Sequence, residues 1–153
     1  MVALLAITLQ LIAIFAPLGS DDLPHRILFI TSYVLLLVFV SINVRHPGIV
    51  ILGLGLTLNL LAIVMNGGLM ATTPETYAKF SWPEDVRVGE RIPYTKDILL
   101  EREDVHLYVL SDRYRWDVQT LIRVFSVGDV IIVAGLIVTV GELALPRYGR
   151  KPA

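Results

Sequence analysis

Asp129 and Glu142 are the only ionisable residues inside four otherwise apolar stretches of the chain. A carboxylate at membrane depth is by default a candidate for ion, proton or substrate handling. Ser126-Val127-Gly128-Asp129, however, has the spacing of a capping box. In that arrangement the serine hydroxyl accepts from a first-turn amide while the acid reaches back to the serine amide. A carboxylate there also lies at the positive end of the helix dipole. Capping is therefore the leading role for Asp129, and proton or cation handling the alternative. Glu142 stands close to Arg147 and reads as a charge at headgroup level. Asn59 and Asn66 are seven residues apart and so share one helix face. Asparagine in membranes commonly bonds across helices, contributing about 0.6–2 kcal/mol. Gln10 is a candidate partner for Asn59, and Asn66, ahead of Gly67, also suits a helix end. The functional alternative is a polar pocket lined by Asn59, Asn66 and Asp129.

Several chemistries have no motif to carry them. The chain has no cysteine, which excludes disulfides, thiolate metal sites and a cysteine nucleophile. His25, His46 and His106 are scattered, without the paired spacing of a helical zinc site. There is no G-x-S-x-G elbow, and Gly53-Leu54-Gly55 lies within an apolar stretch and lacks the rest of a phosphate loop. The thirteen basic residues form no run or stripe, so nucleic acid is not an expected partner. No cofactor is indicated.

The elements that must position these residues are hydrophobic. Of the 153 residues, 55% are hydrophobic and 18% charged, and the mean hydropathy is +0.69. Soluble domains run at about 45–50% apolar and about 25% charged. Crossing the hydrocarbon core takes about 20 largely apolar residues. Four stretches approach that length: 2–18, 27–44, 48–65 and 127–145. Pro17, Asp21 and Asp22 close the first, Arg45-His46-Pro47 forces a hairpin between the second and third, and Asn66-Gly67-Gly68 closes the third. No lysine or arginine precedes the first stretch, so it reads as a retained helix rather than a cleaved leader. Gly128 and Gly135, seven apart, admit a close helix neighbour, as do Gly53 and Gly55. The expected fold is all-α, a membrane bundle of four transmembrane helices with a large structured loop before the last.

Basic residues in short loops mark the cytoplasmic side. Arg45 lies in the short second link, and Arg147, Arg150 and Lys151 follow the last span. The segment 67–126 carries eight basic and ten acidic residues, a formal −2. Both termini are therefore expected in the cytoplasm and the long loop on the opposite face. That loop holds Tyr77, Phe80, Trp82, Tyr94, Tyr108, Tyr114, Trp116 and Phe125, eight of the thirteen aromatics. Disordered segments are poor in aromatics, so the loop is expected to be structured and to lie against the membrane or a partner, with Trp82, Tyr108 and Trp116 as interface residues. Thr73-Pro74-Glu75 and Ser81-Trp82-Pro83-Glu84 look like helix starts. Val105–Leu110 suits a strand or a buried helical turn, and Asp117–Phe125 has the spacing of an interfacial helix.

Three strings together resemble a known family. They are Leu58-Asn59-Leu60-Leu61 leading to Asn66-Gly67-Gly68-Leu69-Met70, then His106 with Leu110-Ser111-Asp112, and Val124-Phe125-Ser126-Val127-Gly128-Asp129-Val130. The combination is similar to the bacterial membrane proteins of domain-of-unknown-function family 5317. The resemblance implies a bacterial plasma-membrane architecture and no reaction. It adds Asp112 to Asn66 and Asp129 as residues of interest, since all three fall in the shared strings.

The leading expectation is a non-enzymatic accessory or scaffolding subunit whose exported loop binds lipid or a partner, within a larger membrane complex or a homo-oligomer. The alternative is a small-molecule, lipid or ion binding or transport protein, with Asn59, Asn66, Asp112 and Asp129 in a polar pocket at the outer ends of spans three and four. An enzyme uniting His106 and Asp112 with Asp129 ranks last.

Overall fold

A computed structural model describes residues 1–19, 21–79, 86–115 and 124–144. The protein is mostly helical, with α1 (Val2–Phe15), α2 (Leu23–Ile42), α3 (Pro47–Met65), a short α4 (Pro74–Tyr77) and α5 (Val127–Ala144). Three of these, α2, α3 and α5, are long and apolar enough to cross a membrane.

α1 is as apolar as the others but has 14 residues, roughly 21 Å at about 1.5 Å per residue. It stops three residues short of the expected Leu18. Ala16 is extended, with φ −79° and ψ 140°, because the ring of Pro17 disfavours helical geometry in the residue before it. α2 begins at Leu23, four residues earlier than expected. Pro24 is accommodated in its first turn, where a missing N–H costs nothing.

α3 is the central helix. α2 packs against both α1 and α3, and α3 against α5. The α3–α5 contact is the closest, because glycine faces backbone on both sides. A Cβ on Gly55 would lie 2.6 Å from the Gly128 carbonyl oxygen, and one on Gly135 would lie 2.7 Å from Leu52 Cα. Gly53 instead faces α2, where a Cβ would meet Val40. Glu142 ties the far end of this pair, its Oε1 accepting from the Gly48 amide at 3.0 Å. It therefore satisfies an otherwise free amide at the α3 N-terminus.

α3 ends in a Schellman turn. The Gly68 amide donates to Ile63 O at 2.8 Å and the Gly67 amide to Val64 O at 3.3 Å. Both glycines have positive φ, +77° and +101°, which side chains with a Cβ rarely adopt. The Arg26 guanidinium of α2 donates to Gly67 O and closes over this turn.

The segment between α3 and α5 corrects the all-α expectation. It contains β1 (Met70–Thr72) and β2 (Asp97–Leu99), paired in parallel with Met70 opposite Asp97. Gly89–Ile92 lies against β2 from the other side: Gly89 N donates to Leu99 O and Ile92 N to Asp97 O. β3 (Tyr114–Arg115) and β4 (Val124–Phe125) form a second, antiparallel pair. Of the helix expected over Asp117–Phe125, residues 117–123 lie outside the described residues, and Val124 and Phe125 are strand instead. Val105–Leu110 is neither strand nor buried helix. It is a loop running into a 3-10 turn at Tyr108–Leu110, with Leu107 and Val109 exposed. α4 forms as expected, with Thr73 Oγ1 accepting from the Thr76 amide. Ser81–Glu84 and the interface candidates Trp82 and Trp116 lie outside the described residues.

Candidate functional site

The ends of α3 and α5 carry a buried polar cluster, closed over by the β1–β2 pair. Asn59 sits two turns before the end of α3 and is fully buried. Its Nδ2 donates to Asp129 Oδ1 at 2.7 Å and its Oδ1 accepts from Ser126 Oγ at 2.9 Å. The tight α3–α5 approach makes this reach possible, since Gly128 presents no side chain where the Asn59 amide lies. Asn59 therefore pairs with α5 and not with Gln10. The capping box forms as its spacing predicts. The Asp129 amide donates to Ser126 Oγ at 3.1 Å, and the Ser126 amide to Asp129 Oδ2 at 2.9 Å.

Capping does not exhaust Asp129. Lys96 Nζ lies 3.2 Å from Asp129 Oδ2 and 3.0 Å from Asp112 Oδ2. This lysine, missed by sequence reasoning, immediately precedes β2. The Lys96 carbonyl accepts from the Met70 amide at 3.0 Å, and that bond in the parallel pair sets its position. Asp112 is held from the other flank of β1: its amide donates to Ala71 O at 3.1 Å and its carbonyl accepts from Thr72 Oγ1 at 3.1 Å. Lys96 and Asp112 thus converge because β1 threads between their segments. Asp97, the first residue of β2, also points inward and stands within hydrogen-bonding reach of Asp112. From α2, the Tyr33 hydroxyl reaches Asn59.

The cluster contains one ammonium and three carboxyls. Burial, then the neighbouring charge of Asp112, pushes the Asp97 carboxyl well above the usual carboxylate range. Asp112 is also raised, by burial against the opposing pull of Lys96. Burial alone would lower Lys96, but Asp112 and Asp129 outweigh it and hold the ammonium well above its ordinary value. Its side chain is 21% exposed, whereas that of Asp112 is 1% exposed. The cluster accordingly opens to solvent at Lys96 and at Asp129, whose side chain is 29% exposed. Asp97 Oδ1 and Asp112 Oδ1 are buried and accept no hydrogen bond from the described residues.

Asn66 stands apart from this cluster. Its Nδ2 donates to Ala62 O at 2.7 Å and to His106 O at 2.9 Å, and its Oδ1 accepts from the His106 amide at 2.9 Å. It is a clamp on backbone, and the exposed His106 ring is not drawn toward Asp112 or Asp129. Of the four pocket candidates, Asn59, Asp112 and Asp129 come together and Asn66 does not. Tyr108 lies on the outside, between the guanidinium of Arg102 at 4.7 Å and that of Arg113 at 5.2 Å from its ring centre.

Asn59, Asp112, Ser126 and Asp129 of this cluster fall in the strings that resemble a known family, whereas Lys96, Asp97 and Tyr33 do not. A model described as a family of unknown function, DUF5317, matches residues 1–141. The chain belongs to that family. No curated protein and no solved structure matches this DUF5317 chain. A sequence signal for Lys96 and Asp97 was present in principle, as adjacent opposite charges ahead of the apolar Ile98-Leu99-Leu100. Nothing local, however, separates them from the other charges of the segment.

Proposed function

We propose that this DUF5317 member is a multi-pass membrane protein that binds a small cation in the cluster formed by Lys96, Asp97, Asp112 and Asp129. In this reading α1 is a fourth span, both termini are cytoplasmic, and the β1–β2 segment faces outward from a bacterial plasma membrane. The observation that carries it is the imbalance of one ammonium among three carboxyls. An ammonium bridging two carboxylates occupies the position of a bound cation, and the third acid leaves negative charge for another to neutralise. Burial of such a group is costly unless it is paired, and a site of this kind at the end of a helix pair is a candidate for ion or proton handling.

The test is thermal unfolding of the intact chain in lipid nanodiscs, read by tryptophan fluorescence across pH and across Na⁺, K⁺, Mg²⁺ and Ca²⁺. It is paired with flux measurements in proteoliposomes. A midpoint that depends on pH or on one cation, with that dependence lost in Asp112→Asn, supports the reading. A midpoint indifferent to all of them, with no flux, overturns it.

The accessory-subunit reading has its own support. Tyr108, flanked by two arginines and by exposed Leu107 and Val109, has the amphipathic character of residues that anchor interfaces. A pull-down in mild detergent that returns a stoichiometric protein, lost in Tyr108→Ala, would favour it.

A further inference from the structure

We propose that the small cation is a proton, held by Asp97 and donated to Asp112 Oδ1, and exchanged with solvent past Lys96 and Asp129. This rests on the reading that the cluster binds a small cation, and names which one.

Four observations carry it. Asp97 and Asp112 are 6% and 1% exposed, and Oδ1 of each accepts no hydrogen bond from the described residues. The two carboxyls nevertheless stand within hydrogen-bonding reach of one another. Two carboxylates cannot approach in that way while both are ionised, but an acid and a carboxylate can, with one proton between them. The position open to a metal ion, between Asp112 and Asp129, is filled by the Lys96 ammonium. Finally, no group of three His, Asp or Glu side chains among the described residues converges to hold a metal.

The groups facing the pair are Lys96 beside β2, Asp129 from α5 and Tyr33 from α2, with the neutral Asn59 from α3 behind them. With Asp112 engaged by Lys96, the proton resides on Asp97. Burial and the charge of Asp112 both favour the neutral acid there. On release the Asp97 O–H bond breaks, the proton passes to water at the partly exposed Lys96 and Asp129, and Asp97 is left as a third carboxylate competing for the ammonium. Uptake reverses this. No other bond is made or broken.

Infrared spectroscopy of the full chain in bilayers tests this, because a protonated carboxyl has a C=O stretch distinct from a carboxylate and shifts in deuterated water. The wild type should still show this band above about pH 4, where an ordinary carboxyl is ionised, and lose it as the pH is raised further. Asp97→Asn should lack it. Asp112→Asn should keep it at a shifted frequency, since the hydrogen-bond acceptor becomes an amide carbonyl. A wild type with no such band, or a band unchanged in both variants, overturns the proposal. If the band is missing while a metal cation still raises the unfolding midpoint, the cluster is a cation site and the proton assignment alone fails. If pH and metal cations are both without effect, the proposed function fails with it. The wild-type measurement decides even if a variant does not fold.

Discussion

Lys96 Nζ and Asp129 Oδ2 lie 3.2 Å apart although 33 residues separate them in the chain. The lysine belongs to a strand segment and the aspartate to the first turn of α5. This ion pair joins the polar segment to the helix bundle, as does that of Arg91 with Asp22 at the start of α2. Asp129 also accepts from Asn59 and from the Ser126 amide, so the same carboxylate caps α5, bonds α3 and receives Lys96.

Lys96→Met removes the only ammonium from a group of three acids. Breaking a largely buried ion pair by deleting one partner costs about 3–5 kcal/mol, and the expected loss here is about 3 kcal/mol, at the lower end because Lys96 is partly exposed. Adding Asp112→Asn to Lys96→Met should recover part of that loss, since one of the stranded charges goes with it. Denaturation of the single and double variants in one detergent checks this. Additive losses would show that the two residues do not interact.

Asn66→Ala should free the segment after α3 while leaving the bundle folded. The amide makes three hydrogen bonds and is 6% exposed. At about 1 kcal/mol net for each bond, the expected destabilisation is about 2–3 kcal/mol. Limited proteolysis should cut the variant between α3 and α5 faster than the wild type. Equal cutting rates would mean that β1–β2 pairing alone holds the segment.

The helices and the cap were legible because their signals are local. Apolar runs, Pro17, Gly67-Gly68 and the three-residue spacing of Ser126 and Asp129 each act within one or two turns. The glycine spacing that brings α5 onto α3 was legible too, since two small residues seven apart must share a face. Lys96 and Asp97 were not, because their roles depend on a parallel strand pair formed by residues 25 or more positions apart. The two-residue β4 was hidden for the same reason. Val124 and Phe125 have helical spacing with the residues before them, but Phe125 pairs and stacks with Tyr114 at 5.8 Å. Partner strands override periodicity over so short a run.

Gly128→Ala and Gly141→Ala should act in opposite directions. A Cβ at Gly128 enters the space of the Asn59 side chain, whereas one at Gly141 meets nothing within 4 Å. Overpacking costs about 1–3 kcal/mol, and displacing Asn59 also disturbs its bond to Asp129, so the first variant should lose about 3 kcal/mol. The second should gain up to about 1 kcal/mol from helix propensity. Thermal unfolding of both variants distinguishes a tight α3–α5 contact from a loose one, in which case both would be nearly neutral.

The stability of the protein should fall as the pH rises. Asp97 has a folded-state value well above its ordinary one, so between about pH 4, where the unfolded carboxyl titrates, and the raised value the native state binds more protons than the unfolded. Stability declines with pH wherever that holds. The contribution of Asp97 is therefore fully present below about pH 4 and lost as the pH climbs through its folded value. Asp112, also raised, works in the same direction. Lys96, held above its ordinary value, adds a second decline that begins only near about pH 10. Asp97→Asn keeps the shape of the side chain and removes the titration, so its stability should depend less on pH than that of the wild type. It should also be the more stable of the two once the pH exceeds the folded-state value of Asp97, where the wild type must bury a third carboxylate. Each unit by which the folded value is raised corresponds to about 1.4 kcal/mol of this difference. Unfolding midpoints of both proteins across the acid-to-alkaline range measure it. Parallel curves would mean that Asp97 is ionised in the folded protein, with its charge compensated by a group other than Lys96.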